Sequence, residues 1–123
     1  MSTAHISGHI KITQEEFDEH YYYKINDAFI SKDDFVVGDA AGVDTMAQKL
    51  LHDLGVTNVT VYHMFEKPRN NVGKFKTVGG FKSDEERDAA MTKASNYDIA
   101  WVRPGKENSG TAKNIKRRGS TSN

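Results

Sequence analysis

An α/β fold built on a small, mostly parallel sheet is what this sequence predicts, and three observations carry the prediction. Four short, β-branched-leaning apolar runs are spaced along the chain, each followed by glycine or turn chemistry. Segments of helical period separate them, the alternation expected of βαβ units with right-handed crossovers. Runs such as Phe35-Val36-Val37 are apolar without alternation, as in strands covered on both faces.

The first run, Ala4 to Ser7, predicts a strand ending in the turn Ser7-Gly8-His9. Thr13 and Glu16 then stand at capping-box spacing, and Phe17, Tyr21, Ile25, Ala28 and Phe29 fall along one helical face. The second strand is predicted at Phe35 to Gly38. In the helix after it, Val43, Met46, Ala47, Leu50, Leu51 and Leu54 recur at helical spacing, and Gly55 supplies the stop. Val59 to Met64 predicts the third strand. A third helix opens at Ser83, with Glu86 at capping-box spacing and Asp84 and Glu85 in its first turn. Ile99 to Val102 predicts the fourth strand. A last helix begins at Ser109 or Gly110 and ends in Lys116, Arg117 and Arg118, cations suited to a helix C-terminus. The elements together predict one Rossmann-like three-layer domain over residues 1–118, strand order 3-2-1-4, with a disordered tail at 119–123.

Composition narrows the function. The chain of 123 residues has 17 acidic and 17 basic side chains, and zero net charge argues against general nucleic-acid binding. Absence of cysteine excludes disulfides, thiolate metal sites and a cysteine nucleophile. No leader is visible in residues 1–9, and no apolar stretch approaches the roughly 20 residues that span a bilayer. A cytoplasmic protein is therefore expected, with no membrane partner. The five histidines (His5, His9, His20, His52 and His63) are scattered without ligand spacing, so neither metal nor cofactor is expected. Tyr21-Tyr22-Tyr23 reads as core and rim of the first helix.

In open α/β sheets, ligands bind beyond the carboxyl ends of the strands. Three of the four predicted strands end there in glycine-containing turns: Ser7-Gly8-His9, then Gly38-Asp39-Ala40-Ala41-Gly42-Val43-Asp44, then Arg103-Pro104-Gly105 leading to Ser109-Gly110-Thr111. Glycine admits backbone amides close to an anion, and a helix start adds free N–H groups and partial positive charge. A single such turn could simply close a βα connection; their recurrence at one end of the sheet favours a ligand site. A side chain at Gly42 is expected to block the anion. Neither segment is a G-x-G-x-x-G or P-loop signature.

The run Val37-Gly38-Asp39-Ala40-Ala41-Gly42-Val43-Asp44, with Ala47 a turn later, resembles the Gly-Asp loop of the SLOG superfamily. That group includes YspA/YpsA-like proteins, the cytokinin-activating LOG enzymes and the DNA-processing protein DprA. Arg87-Asp88, Met91, Asp98-Ile99-Ala100 and Ser109-Gly110-Thr111-Ala112 are similar to its later helix, strand and Gly-Thr helix, in the same order. The resemblance covers residues 35–118, and Ser7-Gly8 matches the first-strand turn. It implies a nucleotide or nucleotide-derived ligand, such as a nucleoside phosphate or an ADP-ribose-like molecule. Ser7, Gly8, Gly38, Asp39, Gly42, Val43, Asp44, Arg87, Ser109, Gly110 and Thr111 would surround it.

More distantly similar nucleoside 2-deoxyribosyltransferase-like enzymes cleave N-glycosidic bonds with a glutamate after the Gly-Thr turn. Here that stretch reads Thr111-Ala112-Lys113-Asn114-Ile115, without a carboxylate. Catalysis would then fall to Asp39, or to a loop carboxylate such as Asp44, Glu85 or Glu107, supporting an oxocarbenium-like state. Asp39 equally suits a turn or N-cap role, and Asp44 the first turn of its helix. The alternatives are an N-glycosidic hydrolase or transferase and a DprA-like single-strand DNA-binding or assembly module. A homo-oligomer is expected, since four strands leave an edge or face to cover. Residues 65–82 lack a period but carry Lys67, Arg69, Lys74, Lys76 and Gly79-Gly80. They read as a basic lid hinged at the glycines, a solvated loop, or a subunit contact.

Overall fold

The computed structural model describes residues 2–121. Its five strands are β1 (Thr3–Ile6), β2 (Asp34–Gly38), β3 (Val59–Met64), β4 (Lys76–Phe81) and β5 (Tyr97–Ile99). They form one all-parallel sheet in the order β4-β3-β2-β1-β5. The helices are α1 (Gln14–Phe17), α2 (Tyr23–Ile30), α3 (Val43–Asp53), α4 (Asp84–Lys93) and α5 (Gly110–Thr121). A π-helical turn, Asp18–Tyr22, joins α1 to α2 into one helical run. This is a small Rossmann-like three-layer α/β domain.

The expected order of the four predicted strands holds, with β4 added at the far edge. That strand, Lys-Thr-Val-Gly-Gly-Phe, lacks an apolar run because it lies on the exposed sheet edge. Gly79 and Gly80 are therefore strand residues rather than a hinge. A Cβ on Gly79 would strike the His63 imidazole of β3, so glycine is what lets the two strands pair. Gly80 (φ 90°) sits where the pairing shifts register; its N–H donates to Phe65 O at 2.8 Å.

The larger core lies on one face of the sheet. Ala4 and Ile6 of β1, Phe35 and Val37 of β2, and Val59 and Val61 of β3 are in register there. They pack with Phe17, Tyr21, Ile25 and Ala28 of the first helical run and Val43, Ala47 and Leu51 of α3. Phe29, expected on that helical face, is 37% exposed. The opposite face carries α4 and α5, with Met91 and Ala112 buried beside more polar neighbours such as His5 and Thr92. Thr13 closes a full capping box with Glu16, and Ser83 Oγ accepts the Glu86 N–H. Helix α5 runs on to Thr121, past the predicted stop at Arg118; the last two residues of the expected tail lie outside the described residues. No helix among the described residues is long and apolar enough to cross a membrane.

Candidate functional site

The carboxyl ends of β1 and β2, together with α4 and the start of α5, enclose a cleft of about 270 Å³. Ser7, Gly8, Asp44, Arg87, Ser109, Gly110 and Thr111 all line it, so seven of the expected binding residues converge from four separate segments. Gly38, Asp39, Gly42 and Val43 do not line the cleft; they form its support.

At one end the cleft offers hydrogen-bond donors. Ser109 caps α5, its Oγ accepting the Ala112 N–H (3.2 Å) and its carbonyl the Lys113 N–H (3.0 Å). The amides of Gly110 and Thr111 lie in the first turn and have no intrahelical acceptor. Ser7 lines the same cleft, and its hydroxyl is buried with no hydrogen-bond partner among the described residues. A buried hydroxyl left unpaired is uncommon and costs free energy, so its place in a ligand-sized cleft is informative.

The β1 turn is held by packing. A Cβ on Gly8 would collide with the Val43 side chain and the Tyr21 hydroxyl. Tyr21 donates to Ser7 O (2.8 Å) and accepts the Trp101 N–H (3.0 Å), riveting the end of β1 to the segment after β5. Gly42 has φ 77°, and a Cβ there would meet the backbone carbonyls of His9 and Ile10. Its glycine requirement is thus accounted for by the His9–Ile10 turn, without an anion. Val43 likewise belongs to the core, its N–H donating to His9 O at 3.1 Å. Gly38 has its own neighbours: a Cβ would lie 2.5 Å from Asp44 Oδ2 and 3.1 Å from Arg87 Cζ.

Asp39 is fully buried beneath the cleft, and donors occupy both oxygens. Oδ1 accepts from Arg69 Nη2 and Arg87 Nη1, each at 2.8 Å; Oδ2 accepts from the Arg69 N–H (2.8 Å) and Nε (3.1 Å). Burial raises its pKa, but the Arg69 bonds and the two guanidinium charges outweigh that and hold it below the ordinary carboxylate range. The structure shows it anchoring two arginines, the support role that sequence offered beside the catalytic one.

Through Asp39, residues 65–75 are pinned rather than hinged. Asn70 Nδ2 donates to Asp39 O (2.9 Å), and buried Gln48 donates to Asn70 O (3.2 Å) while accepting the Val72 N–H (2.9 Å). Arg87 continues the network to Asp88 (2.9 Å) and Asp84 (3.2 Å), and Arg69 also reaches Asp84 (3.1 Å). Asp44 differs from all of these. It lines the cleft, is buried, and among the described residues its carboxylate has one hydrogen bond, accepting the Ala40 N–H at 3.1 Å. Burial pushes its carboxyl up to about 7 against the pull of Arg87. Glu85 and Glu107 do not line the cleft.

His9 forms part of the rim. Its Nε2 accepts the Arg103 N–H (2.9 Å), which leaves Nδ1 to carry the proton of the neutral ring. Burial and the nearby Arg103 and Lys106 charges lower its pKa. Trp101 supports His9 edge-on and stacks on His20 at 4.0 Å. Arg103 lies over the Trp101 ring and pairs with Glu16 (2.9 Å), whose carboxyl it draws down to about 2.

Sequence reasoning did not single out Asp88, Met91 or Asn114 as lining residues, and took Asp84 only as a helix-start carboxylate. The signal was present: Asp84, Arg87, Asp88 and Met91 recur at i, i+3, i+4 and i+7, one face of α4. Among the described residues no group of three or more His, Asp or Glu side chains is arranged to hold a metal ion. No family model, no curated protein and no solved structure matches the chain.

Proposed function

We propose that the cleft binds a nucleotide or nucleotide-derived ligand, with its phosphate at the start of α5. The observation that carries this reading is the buried, unpartnered hydroxyl of Ser7, a residue that lines the same small space as Gly110 and Thr111. Free first-turn amides and the helix field suit an anion, and a hydroxyl donor completes the cradle. The rest of the lining fits a nucleoside: Ile6, Ile10 and Met91 offer apolar surface, and Asp88 and Asn114 offer acceptors for sugar hydroxyls. A volume of about 270 Å³ lies at the small end of ligand sites, which run from roughly 300 Å³ upward. That scale favours a nucleoside monophosphate over an ADP-ribose-sized molecule. The resemblance to the SLOG superfamily leads to the same ligand class.

Cleavage of an N-glycosidic bond is the second reading. It loses Asp39 to the arginine network, and the carboxyls left on the cleft wall are Asp44, Asp84 and Asp88.

The test is a titration of AMP, adenosine, inorganic phosphate and ADP-ribose, followed by thermal shift, with chromatography of each mixture after prolonged incubation. AMP is expected to raise the melting temperature well above the effect of adenosine, by mass action on the folded state. Ser7→Ala is expected to fold with unchanged or slightly higher stability, since it removes an unpaired buried hydroxyl. Its AMP affinity should fall about fivefold, the loss of one hydrogen bond worth ~1 kcal/mol. Full AMP affinity in that variant would remove the phosphate assignment. Release of free adenine would establish the second reading.

A further inference from the structure

The charge inventory of the cleft is unbalanced, and the imbalance falls on one residue. Asp39, Asp44, Asp84 and Asp88 face it or support it, against the guanidiniums of Arg69 and Arg87. Arg69 is engaged by Asp39 and Asp84, and Arg87 by Asp39, Asp84 and Asp88. Among the described residues Asp44 has no ion pair within 4 Å and only the Ala40 N–H as a hydrogen-bond donor. It is 6% exposed and borders the same space as the α5 start. With all four carboxylates ionised, a phosphate would enter a site already carrying two more acids than arginines, and low dielectric magnifies the repulsion. Taking up a proton removes that repulsion most readily at a carboxylate that is buried without a charged partner.

We propose that Asp44 serves this site as a carboxylic acid, so that a phosphate-bearing ligand binds together with one proton and accepts a hydrogen bond from Asp44. The inference rests on the phosphate reading above. The groups around Asp44 are consistent with it. From α4 come Arg87, Asp84 and Asp88; from the end of β2, Asp39; from residues 65–75, Arg69. Tyr21 of the first helical run and His9 of the β1 turn complete the surroundings. Only Arg87 and the Ala40 N–H favour the Asp44 anion, and Arg87 is shared among three other carboxylates. Desolvation acts the other way and prevails, leaving the group titrating near neutrality. His9 cannot supply the proton cheaply, because its Nε2 accepts a backbone N–H beside Arg103.

Two measurements test this. In the free wild-type protein, carbon-detected NMR should show the Asp44 carboxyl titrating in the neutral range; a midpoint below about 5 overturns the inference whatever binds. In calorimetric titrations with AMP in buffers of differing ionisation enthalpy, wild type should take up close to one proton at pH 8. Its affinity should fall by up to tenfold per pH unit above neutrality. Asp44→Asn should bind AMP without proton uptake and with a flatter pH profile; the ligand's own phosphate titration near pH 6 is common to both proteins and cancels. Binding without proton uptake in wild type overturns the role of Asp44 and leaves the ligand reading standing. Absence of AMP and phosphate binding at every pH removes both.

Discussion

Single residues set the shape of the cleft, and Gly42 shows how specifically. Its φ of 77° is one that L side chains rarely adopt, and the carbonyls of His9 and Ile10 fill the space a Cβ would need. From sequence the residue reads as an anion contact, because glycine after a strand has two physical causes that composition cannot separate. One is a ligand's approach; the other is the approach of a second backbone segment. Only the tertiary placement of the β1 turn decides between them. Gly42→Ala is therefore expected to destabilise the fold by roughly 1–3 kcal/mol, as an unfavourable left-handed residue with a steric clash added. Urea denaturation measures it, and a stable variant that had lost only ligand binding would restore the contact role. Gly55 shares the positive φ with no atom within 4 Å of a Cβ, so Gly55→Ala should show the cost of a positive φ without the clash. Ser7, Gly110 and Thr111, by contrast, were legible at once, since residues that end a strand or start a helix need no tertiary information to be placed.

Elements were legible to the extent that they bury a periodic face. The first helical run and α3 were identifiable because Phe17, Tyr21, Ile25 and Ala28, then Val43, Ala47 and Leu51, pack into one core. Strand β4 was not, since an edge strand with glycine under a neighbouring imidazole carries no apolar run. The preceding residues 65–75 likewise contribute polar anchors rather than a core, and polar anchors have no period. Their order depends on Asp39, which joins the end of β2 to Arg69 and to Arg87 of α4. Asp39→Ala would leave Arg87, whose side chain is only 7% exposed, without its central counter-charge, although Asp84 and Asp88 remain. Removing one partner of a buried ion pair costs about 3–5 kcal/mol, and the remaining acids place this case near the lower figure. Residues 65–75 should lose their amide protection before the sheet does. Hydrogen exchange reads both effects. Protection of Val72 and Phe75 that survives in the variant would show that Gln48 and Asn71 hold the segment without Asp39.

Across the whole molecule the carboxylates oppose one another in how pH affects stability. Asp39, Asp98 and Glu16 are held below their ordinary values, Asp98 by contacts with His5 and Arg118 that outweigh its burial. The stability they provide is complete above the ordinary carboxylate range and is lost as pH falls through their folded values. His9, held below 6.5, also adds stability as pH rises toward that value. Asp44 has the reverse sign. Burial raises its folded pKa to about 7 from 3.8, so between those values the folded protein binds more protons than the unfolded chain. Its contribution must therefore fall as pH rises from about 4 to 7, then level off, with a slope of at most ~1.4 kcal/mol per pH unit. The wild-type curve superimposes all of these, so the informative quantity is the difference between Asp44→Asn and wild type. That difference should move steadily in favour of the variant from pH 4 to 7 and stay constant above 7. Urea midpoints at unit pH intervals measure it, any constant offset from the amide cancelling between points. A difference that stays flat across the interval would mean that Asp44 ionises in the folded protein as it does in the unfolded chain. The cleft would then carry all four of its acids as anions at neutral pH.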